Sequence, residues 1–226
     1  MLVELREVTR RFGATVAVDG LSLVLPAGEV VGLLGTNGAG KSTTLKLLAG
    51  LLYPDAGEVR VEGEPPRRVR GRIAFLPERG QLYEWLDPKG AVGLFSTLYP
   101  DFRPRRFYEL LEQLEVPKRS LSQMSKGQRA RFLLAATLAR KARLYLLDEP
   151  LGGVDLITRD RILAALVSEW REDATYLLST HEVAEAEGIF DRAVFMKEGR
   201  VVLSASAEEL RERGQSVAQA FREVLA

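Results

Sequence analysis

The chain has no cysteine, a single histidine, and no apolar run near the roughly 20 residues needed to cross a bilayer. Without cysteine there is no disulfide scaffold, thiolate metal site or thiol nucleophile. One histidine leaves little for a zinc site. An excess of either charge is missing too: Lys+Arg total 32 against Asp+Glu 31, a formal net charge of +1. That balance gives no bulk attraction to nucleic acid or anionic lipid, so no nucleic-acid partner is expected. Residues 1–12 lack the continuous apolar core of a secretion signal. A cytosolic chain is therefore expected, with any membrane role supplied by a partner. What is present suffices for a buried core, since 46% of the 226 residues are hydrophobic.

Short apolar runs alternate with segments of helical period, which predicts an α/β domain. The opening third departs from this. Leu2–Val8, Val16–Leu25 and Glu29–Leu34 read as strands in quick succession, with turns at Gly13, Gly20 and Pro26–Gly28. Glu58–Glu62 adds a strand, and a helix is expected over Lys41–Ala49. Ile73–Leu76 reads as a buried strand stopping at Pro77. From there to about Ser122 the chain holds seven of its seventeen aromatics and two helical segments, near 89–99 and 104–115, broken by prolines. This stretch, 79–122, is expected to be a helical insert within a core formed by 1–78 and 123–226. The core resumes with helix Ser125–Arg140, strand Leu144–Leu147, helix Leu156–Trp170 and strand Thr175–Ser179. Strands at Arg192–Met196 and Val201–Leu203 precede helices Ala207–Arg213 and Val217–Leu225.

Gly35-Thr36-Asn37-Gly38-Ala39-Gly40-Lys41-Ser42, followed by Thr43, fits G-x-x-x-x-G-K-[ST]. It follows a predicted strand and opens a predicted helix. Glycines allow a tight turn whose N–H groups point at a phosphate, and the helix N-terminus adds positive potential. Lys41 supplies a flexible charge for the β/γ-phosphates, and the Ser42 hydroxyl is a ligand for Mg²⁺. With glycine at roughly 7% of residues, the pattern arises by chance in about one chain per hundred. The strand–loop–helix setting lowers that further.

The apolar strand Leu144–Leu147 ends in Asp148 and Glu149. Ionised carboxylates are rarely buried unpartnered, and the C-terminal ends of strands in α/β sheets face the ligand crevice. Asp148 is the expected Mg²⁺ partner and Glu149 the group that polarises the attacking water. His181 follows strand Thr175–Ser179 at the same sheet edge. A lone histidine is ordinarily structural; beside a phosphate site its imidazole becomes a candidate γ-phosphate contact.

Met124-Ser125-Lys126-Gly127-Gln128 resembles the LSGGQ signature of ABC-family ATPases. It lies just ahead of a helix and about twenty residues before the acid pair. Leu151–Asp155 resembles that family's D-loop and Ser179–His181 its switch histidine. Phe12 stands where the family stacks an aromatic ring on adenine, and Glu78 falls at the Q-loop. The resemblance spans essentially the whole chain. It implies a P-loop NTPase with a RecA-like core, an N-terminal antiparallel β subdomain and an inserted α-helical subdomain.

The resemblance also implies ATP and Mg²⁺ as cofactors. ATP would be clamped in a head-to-tail dimer between one subunit's Lys41 and the other's Ser125, Gly127 and Gln128, with Asp155 nearby. Glu78, Ser42 and Asp148 are the implied metal-side groups; Glu149, His181 and Lys41 the catalytic ones. The sequence departs from the family pattern at Glu78 (usually Gln), Lys126 (Gly), Met124 (Leu), Gly152 (Ser) and Phe12 (Tyr). None of these removes a catalytic group. The implied partners are a membrane permease, placing the chain on the inner face of the cell membrane, and a second ATPase subunit.

The runs 75–83, 98–102 and 216–225 resemble ATPases of bacterial exporters, and the regulatory extension common in sugar importers is not expected. Rival readings are an importer ATPase, a non-transport ABC ATPase or an inert nucleotide-binding module. Long coiled coils, paired cassettes and basic arms, the marks of the non-transport members, are missing from the sequence. The presence of Glu149 and His181 argues against inertness.

Overall fold

The computed structural model describes residues 1–80 and 82–225. Gln81, part of the exporter-like run, lies outside them. Two sheets organise the chain. Strands β1 (Val3–Phe12), β2 (Thr15–Leu25) and β4 (Ala56–Val61) form an antiparallel sheet in the order β2-β1-β4. The second sheet has the order β5-β6-β7-β3-β8-β9. Its strands are β3 (Val30–Leu34), β5 (Ile73–Leu76), β6 (Leu144–Asp148), β7 (Thr175–Thr180), β8 (Arg192–Lys197) and β9 (Arg200–Ser206). All pairs in it are parallel except β8–β9. Strands β3, β6 and β7 are buried along their whole length, which explains the apolar runs at their centres.

The helices are α1 (Lys41–Leu48), α2 (Pro88–Leu98), α3 (Pro104–Gln113), α4 (Lys126–Leu138), α5 (Leu156–Ser168), α6 (Val183–Ala186), α7 (Ala207–Glu212) and α8 (Val217–Leu225). The sequence pattern missed α6, which at four residues is too short to show a period. Pro88 and Pro104 were read as breaks and are instead the first helical residues of α2 and α3, where a missing N–H costs nothing. Strand β1 runs four residues past its expected end because pairing with β2 continues to Phe12–Thr15. Helix α5 stops two residues early: the Trp170 indole donates to the Gly28 carbonyl at 3.1 Å, drawing the chain back to the sheet.

Helices α2 and α3 lie between β5 and α4 in sequence, and they share the sheet's core. Phe107, Leu110, Leu111 and Phe132 belong to the same buried cluster as Tyr145 and Leu147. Phe95, Phe102, Phe107 and Phe132 pack in series at centroid separations of 5.4–5.6 Å, the first pair stacked, the second tilted and the third edge to face, so these aromatics serve packing. Two arginines fasten the insert. Arg140, 4% exposed, donates to the Ile73 carbonyl at 2.6 Å and to both Asp101 carboxylate oxygens, at 3.1 and 3.2 Å. Arg103 donates to the carbonyls of Leu138 and Ala139 at the end of α4 and pairs with Glu169, whose second oxygen pairs with Arg106.

The Glu169 carboxylate is 4% exposed and faces two arginines that are 34% and 24% exposed. Glu169→Ala removes the carboxylate that both guanidiniums share, leaving Arg106 with Glu109 at 3.0 Å and Arg103 with backbone carbonyls alone. Partial exposure discounts the buried-pair cost to about 2–3 kcal/mol. Urea unfolding should show that loss with an unchanged denaturant slope; a change below about 0.5 kcal/mol would mean the pair contributes nothing net.

Candidate functional site

Residues Gly35–Lys41 turn from the end of β3 into α1. Two glycines are required by contact. A Cβ on Gly40 (φ 99°) would lie 2.4 Å from the Ala17 carbonyl oxygen, and one on Gly35 would lie 2.6 Å from that of Met196. Gly38 is left-handed at φ 83°. The loop is thus wedged between β2 and the β8–β9 turn, and the Gly199 amide donates to the Ala39 carbonyl at 3.0 Å. Thr36, Asn37 and Gly38 are exposed, while Ser42 and Thr43 are half-buried in the first turn of α1.

Lys41 folds back over this loop. Its side chain is 6% exposed, and Nζ donates to the carbonyls of Gly35 at 2.7 Å and Thr36 at 3.2 Å. The same Nζ lies 3.4 Å from Glu149 Oε1. Glu149 Oε2 is 3.1 Å from His181 Nδ1, so the carboxylate bridges the lysine and the histidine. Glu149 adopts φ 48°, an uncommon conformation for a residue with a side chain. His181 remains 43% exposed and Glu149 12%.

Asp148, 3% exposed, closes the other half of the cluster. Its Oδ1 accepts from Ser42 Oγ at 3.0 Å and from Ser179 Oγ at 2.6 Å. The Ser42 hydroxyl and the Asp148 carboxylate are adjacent hard oxygen donors, the kind of partial set that suits Mg²⁺ completed by phosphate and water. No group of three or more His, Cys, Asp or Glu arranged to hold a metal occurs among the described residues. Glu78 sits two residues past β5 at the same sheet edge. Its carboxylate is 52% exposed, lies 3.6 Å from Arg79, and makes no hydrogen bond to Ser42 among the described residues.

The remaining sequence candidates lie apart from this cluster. Phe12 ends β1, is 47% exposed, and carries the Arg10 guanidinium 4.9 Å from its ring centre. Arg10 is in turn anchored on Asp55 at 2.9 Å. Ser125 caps α4: its hydroxyl accepts from the Gln128 amide at 3.2 Å, and Gln128 Oε1 accepts from the Ser125 amide at 3.0 Å. Arg119 donates to the same Gln128 oxygen at 3.1 Å. Ser125, Lys126 and Gly127 are exposed. Asp155 caps α5. The Thr158 amide and hydroxyl, at 3.0 and 2.7 Å, occupy both its oxygens and hold its carboxyl below the usual range. The structure therefore gives Asp155 a helix-capping role.

Two features escaped the sequence. Ser179 touches both acids; the only hint is a hydroxyl at the end of an apolar strand, which becomes legible once β7 is set in register with β6. Beyond His181, Glu185 pairs with Arg159 of α5 at 2.5 Å, and burial, then the Glu185 carboxylate, raise the Glu182 carboxyl.

A phosphate-binding loop, a hydroxyl–carboxylate pair and a carboxylate–histidine pair on one edge of a parallel sheet define a P-loop ATPase. The comparisons with known proteins agree. The family described as "ABC transporter" matches residues 18–152. The aliphatic sulfonates import ATP-binding protein SsuB of Pseudomonas putida is 36% identical over 210 residues, 91% of this chain and 77% of that protein. The Nod factor export ATP-binding protein I of Burkholderia lata is 34% identical, covering 93% and 72%. A solved structure of an ATP-binding subunit of an ABC transporter superposes with a TM-score of 0.88 at 28% identity, covering 99% of both chains. The chain belongs to the ABC transporter family. It is an ATP-binding subunit, and its activity is ATP hydrolysis. No helix among the described residues is long and apolar enough to cross a membrane.

Proposed function

We propose that two copies of this chain close head to tail around two ATP molecules and, by hydrolysing them, drive export through a separate membrane permease. The observation that carries this reading is the division of the binding groups. Lys41, Ser42, Asp148, Glu149 and His181 gather at one sheet edge, whereas Ser125, Lys126 and Gly127 are exposed at the start of α4. The capping box uses the Ser125 and Gln128 amides, which leaves those of Lys126 and Gly127 at a helix N-terminus, a setting that suits a phosphate presented by another chain.

In this reading Ser42 and Asp148 would hold Mg²⁺, which would neutralise phosphate charge, and Glu78 would be a further oxygen donor on that side. Lys41 leaves Glu149 for the β/γ-phosphates. Glu149 then orients the attacking water and accepts its proton. His181, with Nδ1 turned to Glu149, offers Nε2 to the γ-phosphate. Phe12 stacks on the adenine. The exposed Tyr83–Trp85 pair, stacked at 5.5 Å, gives the permease an aromatic landing point.

Export is supported by the 75–83, 98–102 and 216–225 runs and by the Nod factor export relative. Import is the second reading, favoured by the sulfonate import relative at 36% identity. Vesicle transport with the co-purified permease separates the two by the direction of ATP-dependent movement.

The sandwich is tested by mixing chains. Lys41→Ala chains paired with Ser125→Arg chains regain one intact composite site, so about one ATP binds per mixed dimer. A chain carrying both substitutions, paired with wild type, regains none. The reverse pattern would mean that each site lies within one chain.

A further inference from the structure

We infer that Ser179 is a positioning residue for hydrolysis, a single buried hydroxyl that sets Asp148 and Glu149 together. This deepens the hydrolytic reading of that site and rests on it. The Ser179 side chain is fully buried, in register opposite Asp148 in the β6–β7 ladder. A hydroxyl has one proton to donate and two lone pairs. Here the proton goes to Asp148 Oδ1 at 2.6 Å, and the Glu149 amide donates to the same Oγ at 3.0 Å. The Glu149 amide also donates to the Ser179 carbonyl at 3.2 Å, so loss of the hydroxyl leaves that amide one partner and takes from Asp148 its shorter donor in a buried setting.

The consequences differ for the two acids. Asp148 Oδ1 is shared between Ser179 and Ser42, so when Ser42 turns toward a metal, Ser179 still holds that oxygen. Oδ2 has no hydrogen-bond donor among the described residues. The carboxylate is thereby oriented with one oxygen engaged and the other available. For Glu149, the Ser179 hydroxyl supports the amide of a residue at φ 48°, a conformation that persists only where its surroundings hold it. Two residues on, His181 holds the Glu149 side chain at 3.1 Å. The end of β7 therefore grips the Glu149 backbone with one residue and its carboxylate with another.

The test is Ser179→Ala, with Ser179→Thr to restore the hydroxyl and Ser179→Cys to keep the shape with a weak donor. Steady-state phosphate release should show Ser179→Ala losing about 10-fold or more in kcat, with the ATP KM within about twofold, since a 1 Å misplacement can cost as much as 10²-fold. The Mg²⁺ concentration for half-maximal activity should rise several-fold, a shift that loosened packing does not produce. Ser179→Thr should recover most of both, and Ser179→Cys should fall between. If Ser179→Ala fails to fold, the intermediate loss and Mg²⁺ shift expected of Ser179→Cys carry the test. Wild-type kcat and Mg²⁺ dependence in the variant that folds would overturn the proposal. So would a loss of kcat with no Mg²⁺ shift and no rescue by threonine. Failure of the underlying reading looks different: Glu149→Gln would itself turn over normally.

Discussion

Glu149→Gln lowers steady-state ATP turnover by about 10²–10³-fold while ATP binding becomes tighter. The first half follows from removing the group we propose as acceptor of the water's proton, a role generally worth 10²–10⁴ in rate. The second follows from the geometry of this chain. Glu149 Oε1 sits 3.4 Å from Lys41 Nζ in a pocket where the two side chains are 12% and 6% exposed. The carboxylate thus competes with the triphosphate for the same ammonium group and also repels the incoming phosphate charge. A neutral amide of the same shape removes both effects. The Glu149 contact with Lys41 is longer than a good hydrogen bond, so the gain in affinity is expected to be severalfold rather than orders of magnitude. Phosphate-release kinetics and fluorescent-nucleotide titration read the two halves separately. Normal turnover would remove Glu149 as the base. Slow turnover with weaker ATP binding would remove the competition with Lys41.

The parts of this protein visible in its sequence are those whose chemistry needs a contiguous motif. Gly35–Ser42 must be read in one run because consecutive amides form the cradle, and the acids Asp148 and Glu149 betray themselves by ending an apolar strand. The strands β3, β6 and β7 were legible because burial on both faces keeps their centres, Val30–Leu34, Leu144–Leu147 and Tyr176–Leu178, almost free of polar side chains. What was hidden depends on pairing between distant segments. Ser179 meets Asp148 only through strand register, 31 positions apart, and Lys41 meets Glu149 only after β3 and β6 are brought to one edge. The capping roles of Ser125 and Asp155 show the converse. Their local patterns, read for ligand binding, are also complete helix starts, and a helix start satisfies its own donors first.

The lysine at the centre of that hidden pairing gives the second large effect. Lys41→Ala is expected to weaken ATP binding by about 10²-fold, or ~2.7 kcal/mol, in the range of one or two lost charge-assisted hydrogen bonds. The substitution does more than delete a phosphate contact. It also frees the Gly35 and Thr36 carbonyls, which the ammonium group holds at 2.7 and 3.2 Å, and leaves Glu149 without its cationic neighbour. An unneutralised carboxylate then faces the triphosphate. Lys41→Arg should not restore binding, because a planar guanidinium fork is bulkier than the ammonium group and cannot rotate its donors among two carbonyls and a phosphate. The double variant Lys41→Ala/Glu149→Gln should bind ATP better than Lys41→Ala alone, since its extra repulsion is gone. Groups in direct contact are expected to be non-additive in this way. Isothermal titration with ATP on the four proteins completes the cycle. Unchanged affinity in Lys41→Ala would remove the cradle assignment. A strictly additive cycle would leave the cradle standing and show that the Lys41–Glu149 contact carries no energy. The coupling matters more than the recovery: a gain from Glu149→Gln that changes when Lys41 is also replaced means that the resting protein holds Lys41 against Glu149, and that ATP must part them before hydrolysis begins.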